Sequence, residues 1–124
     1  MIVGIGVDVV DIERFRTVSM RTSAFAERVF TDVERFHSGG APRSMPSLAA
    51  RFAAKEAVAK ALGAPAGLGW HDVEVTRDEA SRPRLTIRGH SLEIASGLGV
   101  TDWHLSLTHD AGIAVAYVIA EHRE

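Results

Sequence analysis

Two carboxylates and one lysine are the residues of this sequence best placed for chemistry. Asp8 follows Gly4 and Gly6 at alternate positions of an apolar segment, and Glu56 and Lys60 stand four apart in an alanine-rich segment. One carboxylate from each segment would suit Mg²⁺, which takes one or two protein carboxylates together with waters and substrate phosphate oxygens. A lysine beside such a metal favours a polyphosphate substrate, because both cations neutralise charge that develops on a pyrophosphate.

Each of these residues also has a simpler explanation. Asp8 could cap the next helix, although Asp11 is a competing cap. Glu56 and Lys60 could form a surface ion pair one helical turn apart, worth about 0.2 to 0.5 kcal/mol. Lys55, which falls among apolar positions of the same helix, would then extend its amine to solvent. The residues alone leave both readings open.

His109 is a further polar residue at the edge of an apolar surface. It shares a strand face with Leu105 and Leu107, so it could contact a phosphate or make a structural hydrogen bond. His104 is five residues earlier and therefore on the opposite face of a regular strand. A metal site made of these two histidines is not expected.

Several familiar kinds of site are absent from the sequence. It has no cysteine, hence no disulfide framework or thiolate metal site. It also lacks a phosphate-binding Gly-x-x-x-x-Gly-Lys-Ser/Thr loop and a Gly-x-Ser-x-Gly nucleophile motif, and Gly4-x-Gly6 lacks the third glycine of a dinucleotide site. Metal-assisted chemistry is the class that remains.

The overall composition predicts one folded domain over residues 1–124, with 46% hydrophobic and 24% charged residues. A net charge of −2 gives no general attraction to nucleic acid or to a membrane surface. The apolar stretch 1–10 is too short for a spanning helix and contains Asp8, and it has no basic leader. We therefore expect a cytoplasmic protein.

Hydrophobic periodicity predicts an α+β fold. The residues at positions 3, 5, 7 and 9 of the first strand share one face, and Gly4, Gly6 and Asp8 share the other. The segment 48–62 is the strongest predicted helix, with an apolar stripe that Arg51 borders on one side and Glu56 and Lys60 border on the other. The other predicted elements are a strand over 2–10, helices near 12–18, 25–30, 31–34 and 92–98, and strands over 73–76, 85–88, 104–109 and 113–120. A small, mainly antiparallel sheet should pack on the central alanine-rich helix.

Three stretches, in this order and spacing, resemble the holo-acyl-carrier-protein synthase family of 4′-phosphopantetheinyl transferases. The stretches are Gly4-Ile5-Gly6-Val7-Asp8 with Ile12-Glu13-Arg14, then Arg51-Phe52-Ala53-Ala54-Lys55-Glu56-Ala57 through Lys60-Ala61, and Ser106-Leu107-Thr108-His109. The resemblance implies a 4′-phosphopantetheinyl transferase-like fold and a magnesium-dependent enzyme. It also implies a role in fatty acid biosynthesis.

The resemblance further implies roles for individual residues. Asp8 and Glu56 would bind Mg²⁺, which bridges to the pyrophosphate of coenzyme A, and Lys60 would contact the phosphates. Arg51 and His109 would help to hold the nucleotide end. A serine hydroxyl of an apo-carrier protein would attack the β-phosphorus and release adenosine 3′,5′-bisphosphate. The base would be Glu56 itself or a metal-bound water that Glu56 orients.

The expected partner is an acyl-carrier protein, either free or as a domain of a larger synthase. Arg14, Arg21 and Arg28 repeat every seven residues, and they would line one face of a continuous helix that could bind an acidic carrier. A solvated basic face is the alternative. Members of this short type are homotrimers with active sites between subunits, and the apolar run 113–120 is compatible with a strand buried in an assembly.

Two other functions use the same residues. In the first, water replaces the serine, and the chain is a magnesium-dependent hydrolase of coenzyme A or a related pyrophosphate. In the second, the chain is a non-catalytic carrier-binding module whose basic helix matters and whose carboxylates are structural.

Overall fold

The computed structural model describes residues 1–124 as five helices, five strands and one 3₁₀ turn. In chain order these are β1 (Ile2–Asp11), α1 (Ile12–Arg21), α2 (Phe25–Val29), α3 (Asp32–Arg35), α4 (Met45–Ala61), the 3₁₀ turn Trp70–Asp72, β2 (Val73–Arg77), β3 (Pro83–Ile87), α5 (Gly89–Gly97), β4 (Asp102–Asp110) and β5 (Ile113–Glu121). Strands β1, β5 and β4 form an antiparallel sheet in that order, and β2 and β3 form a separate antiparallel hairpin. The expected α+β fold is confirmed.

Helix α4 begins three residues earlier than the apolar pattern predicts. The hydroxyl of Ser44 accepts a hydrogen bond from the amide of Ser47, and Pro46 lies in the first turn, where its missing amide proton costs nothing. The helix ends at Ala61, just before Gly63 adopts a φ of 82°. No helix of the chain combines the length and the apolar character needed to cross a bilayer.

Helix α4 is surrounded by the rest of the protein. Ten of its seventeen residues are buried and cover most of its circumference, whereas Phe52, Glu56, Ala59 and Lys60 form a less buried side, so the predicted single apolar stripe is wrong. Alanine makes this possible, since its small side chain lets neighbouring elements, among them the sheet strands β1 and β5 and the hairpin strand β2, pack closely on the helix. The buried set is Leu48, Ala49, Ala50, Arg51, Ala53, Ala54, Lys55, Ala57, Val58 and Ala61.

The glycine face of β1 packs directly on α4. A Cβ atom at Gly4 would overlap the carbonyl oxygen of Ala61, and one at Gly6 would overlap the carbonyl oxygen of Ala57. The two backbones are therefore in contact, which glycine permits because it has no Cβ atom. Because of this contact, Asp8, which lies two residues further along the same face, is close to the surface of α4.

The opposite face of this sheet is apolar and open to solvent in the single chain. Val7 and Val9 are 47% and 58% exposed, and Tyr117, which lies opposite Val7 on β5, is 46% exposed. We call this surface the outer face of the sheet. Its apolar members are Ile5, Val7, Val9, Val115, Tyr117 and Ile119.

The first helical region is interrupted. Helix α1 ends at Arg21, Thr22 adopts an extended backbone, and α2 begins at Phe25. The break lets the ring of Phe25 pack edge-on against Phe15 of α1, with 5.8 Å between ring centres. A continuous helix from Arg14 to Arg28, the condition under which the three arginines would line one face, is therefore not formed.

Candidate active site

Asp8 lies near the end of β1, with its side chain towards α4. Asp11, and not Asp8, caps the following helix, because its carboxylate accepts a hydrogen bond of 2.9 Å from the amide of Arg14. The capping explanation for Asp8 is thereby wrong. The Asp8 side chain is only 15% exposed, so its carboxylate needs charged or hydrogen-bonding partners.

Lys60 of α4 is the closest partner of Asp8. Its ammonium lies 2.8 Å from a carboxylate oxygen of Asp8 and donates a second hydrogen bond of 3.1 Å to the carbonyl of Val7. The expected surface pair of Glu56 with Lys60 is not formed, because Lys60 turns towards β1 instead. Its side chain remains about half exposed, at 53%, and can reach a bound molecule.

Glu56 completes the group and is electrostatically strained. Burial raises the pKa of its carboxyl, the negative charge of Asp8 raises it further, and Lys60 partly opposes both effects. The hydrogen bond to Asp8 in turn raises the pKa of Lys60. Lys60 thus pairs directly with Asp8 and only partly offsets the negative charge of Glu56.

This donor set fits a hard divalent cation. The chain contains no group of three or more histidine, cysteine, aspartate or glutamate side chains that could hold a metal. Two carboxylates are nevertheless enough for Mg²⁺, which keeps several waters and takes substrate phosphate oxygens as its other ligands. The mutual repulsion of Asp8 and Glu56 would be relieved by such a cation.

Glu56 lies between two cavities. A cavity of about 390 Å³ is lined by Asp8, Glu56 and Arg14, over a floor that includes Phe52. A cavity of about 240 Å³ on the other side of Glu56 is lined by the loop after α4 and by Trp70. The Trp70 ring stacks on Phe52, with 5.6 Å between ring centres and 22° between the planes. These two aromatic rings separate the cavities.

Arg51 and His109 lie together in a third, smaller cavity of about 100 Å³, which Arg77 also lines. The Arg51 side chain is buried and donates from Nε to the carbonyl of Val75 and from Nη1 to Ser47. Burial, together with the nearby charge of Arg43, lowers the pKa of Arg51 to about 10. A concentration of positive charge of this kind suits a phosphate.

The two groups of predicted residues do not meet within one chain. The cavity that contains Asp8 and Glu56 shares no lining residue with the cavity that contains Arg51 and His109. Five residues separate Arg51 from Glu56, which places them about 140° apart around a helix. His104 is on the outer face and contacts Glu121 at 2.9 Å, so the two histidines do lie on opposite faces.

The three arginines predicted to bind a carrier are all exposed. Arg14 lines the cavity of Asp8 and Glu56, whereas Arg21 ends α1 and Arg28 lies on α2. They therefore belong to two helices, and of the three it is Arg14 that lies beside the carboxylates.

The sequence reasoning missed a buried ion pair behind this site. Lys55 does not extend to solvent; its ammonium is buried and lies 2.8 Å from the carboxylate of Glu34. A lysine among the apolar positions of an alanine-rich helix signals a buried counter-charge. No sequence pattern identifies Glu34 as that partner; in the structure Glu34 also forms a capping box with Thr31.

Comparisons with known proteins identify the family of the chain. Residues 4–118 match the family model described as the 4′-phosphopantetheinyl transferase superfamily. Holo-[acyl-carrier-protein] synthases of Salinispora arenicola and Streptomyces coelicolor are 58% and 56% identical to the chain; the first alignment covers 98% of the chain and 99% of the relative, the second 97% and 98%.

Solved structures show the same fold. The holo-[acyl-carrier-protein] synthase of Neisseria meningitidis superposes with a TM-score of 0.87 at 30% identity, covering 98% of this chain and 99% of that one. The enzyme of Helicobacter pylori, solved in complex with coenzyme A, superposes with a TM-score of 0.81 at 30% identity, covering 94% and 99%. The chain therefore belongs to the 4′-phosphopantetheinyl transferase superfamily, as an enzyme of the holo-[acyl-carrier-protein] synthase family.

Proposed function

We propose that this enzyme transfers 4′-phosphopantetheine from coenzyme A to a serine of an apo-acyl-carrier protein, in a magnesium-dependent reaction. The observation that carries the proposal is the group formed by Asp8, Glu56 and Lys60, which occupy the positions of the family motifs. Asp8 and Glu56 line an open cavity, and Lys60 is half exposed beside Asp8. The relatives support transfer and not the alternative of a coenzyme A hydrolase. The reaction would supply holo-carrier for fatty acid biosynthesis in the cytoplasm.

Asp8 and Glu56 are the residues that would hold the metal. A magnesium ion bound there would neutralise negative charge on the pyrophosphate of coenzyme A. Lys60 adds a fixed positive charge beside them, because its bonds to Asp8 and Val7 hold the ammonium and keep it protonated. It would bind a phosphate oxygen of the substrate.

Glu56 would accept the proton of the carrier serine. The serine oxygen forms a bond to the β-phosphorus, the bond from that phosphorus to the bridging oxygen breaks, and adenosine 3′,5′-bisphosphate leaves. The proton would reach Glu56 directly or through a water that Glu56 orients.

Arg51 and His109 would bind the nucleotide end of coenzyme A. Nε and Nη1 of Arg51 are occupied by Val75 and Ser47, which leaves Nη2 as the group that can reach an anion. Because this cavity is separate from that of Asp8 and Glu56, one coenzyme A would span residues of two subunits.

A homotrimer with active sites between subunits accounts for this separation. The outer face of the sheet supports it, since a contiguous apolar surface of this kind is typical of an interface between proteins. Burial of the Val7, Val9 and Tyr117 side chains would supply the hydrophobic contribution to assembly.

Arg14, Arg21 and Arg28 would steer the acidic carrier towards the cavity. Opposite charges raise the rate of encounter and fix the orientation of a partner more than they raise affinity. Arg14 is the member that lines the cavity of Asp8 and Glu56, so it would lie closest to the incoming serine.

The direct test is the intact mass of an apo-carrier protein after incubation with the enzyme, coenzyme A and Mg²⁺. We expect a gain of one phosphopantetheine group, which chelation of the metal should prevent. Glu56→Gln should abolish the gain and leave the fold intact, whereas Glu93→Gln, on exposed α5, should not affect it. No gain with any carrier would refute the proposal, and release of adenosine bisphosphate without carrier would favour hydrolysis.

A further inference from the structure

Lys55 is a buried charged residue with a partner for every donor proton, and the reaction described above does not use it. Its side chain is 1% exposed and lies in the middle of α4, directly before Glu56. The three acceptors around its ammonium are a carboxylate oxygen of Glu34 at 2.8 Å, the carbonyl of Trp70 at 2.8 Å and the carbonyl of Val73. An ammonium has three donor protons, so none remains for a substrate phosphate.

Glu34 is itself held from two sides. One of its carboxylate oxygens accepts from the amide of Thr31 at 3.0 Å, and the other accepts from the amide of Val75 at 2.8 Å. It is completely buried. The pair of Lys55 with Glu34 therefore joins α4 to α3 and to β2 with fixed geometry.

The bond from Lys55 to the carbonyl of Trp70 links this pair to the active site. The Trp70 ring stacks on Phe52 and lines the cavity of about 240 Å³ beside Glu56. Phe52 lines the neighbouring cavity that contains Asp8. The position of the 3₁₀ turn therefore determines the wall on either side of Glu56.

A purely stabilising ion pair would not need this arrangement. A buried ion pair contributes little net stability compared with apolar residues of the same volume. Two of the three bonds of Lys55 are to backbone carbonyls of the turn and of β2, which no apolar side chain can replace.

We propose that Lys55 is a positioning residue for the transfer reaction: it fixes the 3₁₀ turn against α4, so that Trp70 and Phe52 hold the cavity walls around Glu56. The inference rests on the proposed transferase function. Loss of Lys55 should therefore lower turnover. Bound coenzyme A would be repositioned relative to Glu56 but would lose no direct contact.

Three variants separate positioning from stability: Glu34→Gln, Lys55→Met and the double variant. Glu34→Gln keeps the bonds of Lys55 to Trp70 and Val73, whereas Lys55→Met removes them and leaves a buried carboxylate without its partner. The double variant removes both charges. We expect it to recover much of the stability that Lys55→Met loses, while kcat stays about tenfold or more below wild type and KM for coenzyme A changes little.

The fluorescence of Trp70 gives a second readout. The chain has two tryptophans, so a Trp103→Phe background reports Trp70 alone. We expect a red shift in both variants that lack Lys55 and none in Glu34→Gln. If the double variant recovers wild-type kcat together with stability, Lys55 has a structural role only and the proposal is wrong.

The absence of cysteine allows a rescue experiment. Lys55→Cys, alkylated with bromoethylamine in denaturant and refolded, restores an ammonium at nearly the original length, and iodoacetamide gives a matched neutral adduct. We expect kcat to recover with the first reagent only. Equal activity of the two adducts would overturn the proposal, whereas an inactive wild-type enzyme would instead refute the transferase function.

Discussion

The two faces of β1 follow opposite rules. The face towards α4 has glycines and an aspartate, and Gly6 is buried there. The face away from α4 has valines and an isoleucine that are about half exposed. Ordinary strands of a half-buried sheet place their large apolar residues inside and their small or polar residues outside.

The difference shows what each face is for. The inner face gives up hydrophobic volume so that the backbone of β1 can touch α4, and this contact delivers Asp8 to Lys60 and Glu56. The outer face retains the hydrophobic side chains that a partner would cover. The strand therefore serves the active site on one side and assembly on the other.

The largest effect on stability is expected from adding a side chain to the inner face of β1. Gly6→Ala places a methyl group on the carbonyl oxygen of Ala57, and backbone atoms cannot move aside as a flexible side chain can. We expect the free energy of unfolding to fall by about 3 kcal/mol or more, measured by urea denaturation.

Gly39→Ala is the matched control, because nothing lies within 4 Å of a Cβ atom there. It should leave the unfolding free energy nearly unchanged. A Gly6→Ala protein as stable as this control would show that β1 and α4 are not in backbone contact.

Sequence reasoning found the two faces of β1 but not which one is buried. Alternation assigns Gly4, Gly6 and Asp8 to one face whatever the fold, since side chains of a strand alternate with period two. Burial depends on α4, which lies some fifty residues away in the chain and whose alanines leave room only for glycine.

At the active site, too, sequence reasoning did not show which distant elements pack together. Periodicity alone left Asp8, Glu56 and Lys60 with simpler explanations, and the resemblance to a family is what predicted that this strand and this helix come together, as Asp8 and Lys60 do in the structure. The pairing of Lys55 with Glu34, 21 positions earlier, was not predicted, because it depends on how α3 and β2 pack on α4. Two separate helices near 12–18 and 25–30 were predicted, but the position of the break after Arg21 was not, because no glycine or proline marks it and Phe25 packs on Phe15 there.

A second prediction tests the outer face. Tyr117 lies on the central strand of the sheet and is 46% exposed, so Tyr117→Glu should place a charge within the proposed interface without disturbing the fold. We expect sedimentation to show monomers instead of trimers. Transfer activity should fall with assembly, because Arg51 and His109 lie in a different cavity from Asp8 and Glu56.

Leu92→Glu provides the comparison, since Leu92 is 45% exposed but lies on α5, outside the sheet. It should leave the trimer intact. Trimers that persist in Tyr117→Glu, with unchanged circular dichroism in both variants, would contradict assembly through the outer face.

The same valine-to-alanine substitution on the two faces of the sheet should lower the unfolding free energy by unequal amounts, both smaller than the loss expected for Gly6→Ala. Val118→Ala removes two methyl groups from a fully buried side chain of the inner face and should cost about 2 kcal/mol in unfolding free energy. Val9→Ala removes the same groups from a side chain that is 58% exposed.

For the single chain, measured at protein concentrations that favour monomers, Val9→Ala should cost less than about 0.5 kcal/mol. At higher concentration it should weaken assembly. Equal losses for the two variants in dilute solution would mean that both faces are packed within one chain.

The smallest effect is a pH dependence at the edge of the outer face, where His104 contacts Glu121 at 2.9 Å. The hydrogen bond with His104 lowers the pKa of Glu121 below its usual value of 4.5, and the charge of Arg123 acts in the same direction. As the pH falls, the unfolded chain therefore takes up this proton before the folded one does. The contribution of Glu121 to stability is fully present above pH 4.5 and is lost as the pH falls through the lowered value.

The melting temperatures of wild type and Glu121→Gln, compared as a function of pH, check this dependence. The wild type should melt slightly higher at pH 6, and the difference should shrink steadily below pH 4.5. Glu79→Gln, in the turn between β2 and β3, should show no such convergence. If the difference in melting temperature between wild type and Glu121→Gln stays constant or grows towards acid pH, the contact of His104 with Glu121 does not make stability pH-dependent. The effect at this exposed edge should be small, because solvent screens such pairs.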